Sequence, residues 1–180
     1  MNSNRVPASV RPPALLRQLD ADPGAFSISV WSNVTIVCWR VPAYEEAVWR
    51  VANATTALLA KGLPSFSNIH IVTESAGVPS ETAREGLVRM ADRYASSLAC
   101  IGVALLGSGF WASARASAVT GMRMQSPKSA AFKVETSLEA IADWLPPSHH
   151  ERTGVLLRPA PLRAAMAEAL ERTAVAGSPE

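Results

Sequence analysis

"NIHIVTESAGVPSETAREGL", residues 68 to 87, passes from one periodicity to another. Ile69 and Ile71 alternate with Asn68 and His70, the period of a strand. Glu74-Ser75-Ala76-Gly77 reads as a turn. From Pro79 onward Ala83, Leu87, Met90, Tyr94 and Leu98 recur at steps of three or four, the period of a helix face. Pro79, Ser80 and Glu81 are start signals for that helix. Strand, turn and helix in this order make half of a crossover unit. If the flanking sequence repeats it, the fold is α/β with a largely parallel sheet.

Upstream, "FSISVW" from Phe26 and "VTIVCWRV" from Val34 flank Ser32-Asn33 and read as a hairpin. A helix follows from about 42 to 61, with Tyr44, Val48, Val51, Thr55, Leu58 and Leu59 on one stripe, stopped by Gly62 and Pro64. Downstream, "CIGVALLGS" is a near-continuous apolar run, as in a central strand covered on both faces. "GFWASARASAVTGM" predicts a third helix and "AAFKVE" a short last strand. Thr136 and Glu139 have capping-box spacing before a short helix ending at Trp144-Leu145. Pro146-Pro147 closes the domain.

The resulting order, β-β-α-β-α-β-α-β-α over residues 26–147, predicts an α/β fold with a mixed, mostly parallel sheet, an opening hairpin and crossover helices. Residues 1–25 hold prolines 7, 12, 13 and 23 and read as a loosely ordered tail, with one or two helical turns at "ALLRQLDA". Residues 148–180 read as an irregular linker, "SHHERTGVLLR", and a C-terminal amphipathic helix, "PAPLRAAMAEALERTAV". Leu162, Met166, Ala169 and Leu170 share one face of that helix, which needs a surface to cover, on this domain or on a partner.

The chain has 180 residues, 48% of them hydrophobic and 18% charged, with net charge +2. A core of that size folds without a disulfide or metal. So small a charge argues against a nucleic-acid partner. Cys38 and Cys100 lie in apolar runs and read as buried free thiols. No Cys/His spacing suits a metal. The glycine fingerprint of dinucleotide binding and the Walker Gly-Lys-Ser/Thr are both missing, so no cofactor is expected. No window approaches the roughly 20 apolar residues of a membrane span. The N-terminal stretch lacks a signal-peptide core, and a cytoplasmic protein is expected.

The element order, with "GSGFWASARASAVTGM" at 107–122 and "FKVETSLEAIADWL" at 132–145, resembles the STAS-type fold of anti-sigma-factor antagonists, also called SpoIIAA-like. It is also similar to short bacterial proteins of unknown function of that type. In the antagonists, a serine opening the helix after the third strand is phosphorylated by a partner kinase. The loop around it forms the partner surface. The family run resembles Asp-Ser-Ser-Gly; here Glu74-Ser75-Ala76-Gly77 keeps the acid, one serine and the glycine, and Ala76 replaces the second serine.

Ser75 and Ser80 are therefore candidate phosphorylation or partner-binding residues. The competing and weightier reading makes them parts of a turn and a cap. On the reading of Ser75 as a turn serine, Ser75→Asp leaves stability nearly unchanged. Gly107, Ser108 and Gly109 end an apolar strand and open a helix, where backbone N–H groups suit an anion or a partner, with Arg115 assisting. Phe110 and Trp111 are helix neighbours that cannot both point inward, which makes Trp111 a candidate contact residue, whereas the other tryptophans fall on core faces. His70 alternates in a strand. His149 and His150 sit in the expected linker, with no Ser-His-acid pattern. No catalytic residue is assigned. The expectation is a non-enzymatic STAS-like module that binds a protein partner or itself. The alternative is a small-ligand or lipid-binding module using an apolar pocket between sheet and helices.

Overall fold

Strand order in the sheet equals strand order in the chain. The computed structural model describes residues 14–108, 110–125 and 130–175. Its six strands are β1 (Arg17–Asp22), β2 (Phe26–Trp31), β3 (Val34–Trp39), β4 (Phe66–Val72), β5 (Leu98–Leu105) and β6 (Ala131–Glu135), lying side by side in that sequence. β1, β2 and β3 pair antiparallel, and β3 through β6 pair parallel. The helices are α1 (Glu45–Ala60), α2 (Glu81–Arg93), α3 (Phe110–Gln125), α4 (Leu138–Thr153) and α5 (Pro159–Val175). The expected α/β class, mixed sheet and opening hairpin are present. The hairpin turns at Ser32-Asn33, where Ser32 adopts φ 54°.

Alternation along the strands divides the core in two. Val37, Trp39, Phe66, Ile101, Val103 and Leu105 face α1, α2 and α3. Ile36, Cys38, Ile69, Ile71, Cys100 and Ala104 face α4 and α5. Both cysteines are free and buried. The stripes read from the helices are those buried: Val48, Val51, Thr55 and Leu58 on α1, Ala83 and Met90 on α2. Leu162, Met166 and Ala169 of α5 are fully buried against β2, β3 and α4, so this helix covers its own chain.

Two segments depart from the sequence reading. "ALLRQLDA" was expected to form helical turns in a tail; residues 17–22 are instead an edge strand paired with β2. The leucine spacing suits a helix, but contacts distant in sequence decide the outcome. Arg50 of α1 donates from Nε to Asp20 at 2.8 Å and lies over the Phe26 ring at 4.7 Å. Tyr44 donates to Asp22 at 2.8 Å. The second departure is α4, which does not stop at Leu145. It runs through Pro146 and Pro147 to Thr153, so the first part of the expected linker is helical. Two N–H donors are lost there. Compensation comes from Leu145, Pro146 and His149, all buried, and from Gly154, whose left-handed φ of 70° closes the helix on His150 O. Trp49 is a third correction. It is 64% exposed, because its neighbour Val48 takes the buried position on α1.

Candidate functional site

A cavity of about 80 Å³ lies between the sheet and helices α2 and α3. β5 contributes Ile101 and Val103, and the helices contribute Leu87, Met90, Val119 and Met122. The floor is polar at one place, where Asn68 and His70 of β4 lie beside Trp39 of β3. Arg115 of α3 also lines the cavity, near the C-terminal ends of β4 and β5.

The polar floor is a directed hydrogen-bond chain. Trp39 donates its indole N–H to His70 Nδ1 at 3.1 Å, with the ring planes within 7°. An indole nitrogen only donates, so the neutral imidazole carries its proton on Nε2. That nitrogen lies 3.0 Å from the Asn68 amide, whose other end lies 3.0 Å from Thr35 Oγ1. The amide orientation that satisfies both ends puts oxygen toward the ring and nitrogen toward Thr35. Thr35 then donates to the carbonyl of Ser67. Burial pushes the His70 pKa down to about 4, in keeping with a ring that has no room for a second proton.

Arg115 is 1% exposed. Its Nη1 donates to the carbonyls of Thr73 at 2.6 Å and Glu74 at 3.0 Å. Nη2 donates to the carbonyl of Leu106 at 3.0 Å. The guanidinium therefore joins the loops after β4 and β5. Its Nε–H is buried without a partner.

The expected site residues fall around this arrangement. Ser75 lies on a single 3-10 turn, Glu74–Ala76, and donates to the carbonyl of Arg40 at 2.9 Å. Ser80 is the N-cap of α2 and accepts from the Ala83 N–H at 3.2 Å. Gly107 has φ +99°, and a Cβ there would meet Glu74 Cβ at 2.8 Å. Ser108 is exposed beside it. Gly109 and the side chain of Trp111 lie outside the described residues. The loops at 73–77 and 106–108 do meet, but Arg115 joins them from beneath through their carbonyls.

His149, expected in an irregular linker, is fully buried on the opposite face of the sheet. Ser67 Oγ lies 2.7 Å from its Nδ1, and Nε2 lies 2.9 Å from Asn33 Oδ1. A Ser-His-Asn chain is thus assembled from three elements. Its imidazole is reversed relative to a hydrolase triad, where Nε2 faces the serine. Ser67 is also sealed from solvent at 0% exposure. The chain is a staple that ties α4 to the β2–β3 turn and to β4. Burial, assisted by His150, lowers the His149 pKa to about 4.

Sequence reasoning missed Asn68, Trp39 and the Ser67–His149 contact. The available signal was β4 itself, a central strand with polar residues at alternate positions and both faces covered. Among the described residues there is no cluster of three His, Cys, Asp or Glu side chains placed to hold a metal. Nor is any helix among them long and apolar enough to cross a membrane. Comparison with known protein families and with curated proteins gives no match.

Proposed function

We propose that this chain is a non-enzymatic binding domain for a small, largely apolar molecule seated between the sheet and helices α2 and α3. The carrying observation is the 80 Å³ cavity, lined mostly by apolar side chains, with Asn68, His70 and Arg115 as its polar members. Binding sites typically have this composition, apolar walls with a few placed polar atoms. The volume is well below the several hundred Å³ of a drug-sized pocket, which favours a small ligand over a lipid chain. Ligand-observed NMR against a set of small apolar compounds tests the reading. Binding is expected in the parent chain and lost in Ala91→Leu, which fills the cavity from α2. Equal binding by both proteins would remove the cavity from the proposal.

A second reading keeps the STAS-like interaction module, and the exposed Trp49 on α1 favours it. A large aromatic left on the surface is a common contact residue. Analytical ultracentrifugation of the parent and Trp49→Ser tests this. A dimer lost in the variant supports self-association through α1, and a concentration-independent monomer removes it.

A further inference from the structure

We propose that this cavity is the seat of a single uncharged aromatic ring, held by ring and thioether contacts rather than by charge. The inference rests on the cavity being a ligand seat, and adds what kind of molecule fills it.

The polar members of the lining exclude a charged ligand. No described Asp or Glu lines the cavity. Arg115 turns its Nη groups to the carbonyls of Thr73, Glu74 and Leu106, and its Nε–H is sealed out of reach. His70 brings no positive charge, because both its ring nitrogens are engaged, by Trp39 and Asn68. A charged ligand would be desolvated there without a partner, which is costly.

The same engagement decides what the walls offer. Trp39 and His70 have ring planes within 7°, centroids 6.2 Å apart and nitrogens 3.1 Å apart. An indole N–H donates in the plane of its ring, so the two rings lie side by side and not one over the other. Their nitrogen edges are spent on each other and on Asn68. What remains for a ligand is carbon, as ring faces and C–H edges. An aromatic ligand gains from either, offset-stacked on a face or set edge-on. An aliphatic ligand of the same size gains only its buried area. Phe132 of β6 supplies a third ring, on the side of the cavity away from β3. Met90 of α2 and Met122 of α3 bring thioethers, which also favour an aromatic neighbour. A water needs about 10–15 Å³ of such space, so 80 Å³ accommodates roughly six heavy atoms, the size of one ring.

The test uses the full chain with benzene and cyclopentane, which have nearly equal volumes, titrated by NMR. Cyclopentane leaves water more readily, so burial alone favours it. Benzene is nevertheless expected to bind at least about threefold more tightly, because it adds contacts between rings. Its ring current should move the Met90 methyl signal upfield, and Ala91→Leu should abolish its binding. Met90→Leu, a volume-conserving change, assigns that signal. Benzoate bound as tightly as benzene overturns the exclusion of charge. Cyclopentane bound as tightly as benzene, and lost in Ala91→Leu, overturns the aromatic assignment and leaves the cavity reading standing. No binding of benzene or cyclopentane, or binding that survives Ala91→Leu, overturns the cavity reading itself.

Discussion

The two faces of this sheet are built from the same strands and filled differently. Beneath α4 and α5, Ile141, Leu145, Leu162, Met166 and Ala169 are all sealed, the Ser67–His149–Asn33 staple is closed, Ser27 meets Thr173, and Ser29 Oγ is buried without a partner. Beneath α2 and α3 the apolar wall encloses open space, and a buried guanidinium has an N–H unmatched. One face is packed as a core. The other has the apolar lining of a core without its density. Native interiors rarely leave such space without a use.

Acid is expected to break the comparison most strongly, because each face holds one buried neutral histidine. His70 and His149 have folded pKa values of about 4, against about 6.5 when unfolded. Between those values the unfolded chain binds more protons. Their stabilisation is therefore complete above pH 6.5 and is lost as pH falls toward 4. The limit is on the order of 3 kcal/mol for each ring. Urea melts at pH 7 and pH 4.5 should show a sharply lower midpoint in acid, and an unchanged midpoint would mean that the rings titrate normally. Next in size, Leu145→Ala on the packed face is expected to cost about 2–5 kcal/mol by chemical denaturation.

A matched pair of insertions compares the faces directly. Ala165→Leu on α5 overpacks a sealed site and should cost about 1–3 kcal/mol. Ala91→Leu on α2 enters open space and should be neutral or stabilising in the same thermal-melt series. Equal losses would mean that the cavity closes in solution. The smallest effect concerns Ser75→Asp. Its hydroxyl donates to the Arg40 carbonyl, so a carboxylate there sets acceptor against acceptor. The expected loss is about 1 kcal/mol, larger than the turn reading alone implies.

Much of the architecture was legible because it rests on local period. The β4–turn–α2 stretch, the α1 stripe and the apolar run of β5 each state their structure in residues a few positions apart. What stayed hidden depends on partners far along the chain. β1 is a strand because β2 and Arg50 hold it there, which no window around Leu16 and Leu19 can reveal. α4 crosses two prolines because His149 is anchored by Ser67 and Asn33. At the site, Arg115 was singled out for the loop it follows. Its use as a clamp on three carbonyls required knowing that the loops after β4 and β5 converge. The alternation of His70 with Ile69 and Ile71 left open whether it faces solvent or a covering helix, and the helices over β4 make it, with Asn68, part of a buried floor.

The sheet grows in the order of synthesis, so each strand can pair with the one just before it while the chain is still emerging. The antiparallel pairs of β1, β2 and β3 are local, whereas each parallel pair must wait for its crossover helix, the slower kind of contact. The last helix does the reverse. α5 returns to the second and third strands, and Thr173 meets Ser27 across 146 positions. Until that helix is free, the apolar row of Ile36 and Cys38 stays uncovered and prone to aggregation. The slow step of folding, and the moment of greatest vulnerability, should therefore come at the end, when the final segment seals the face that the first strands opened.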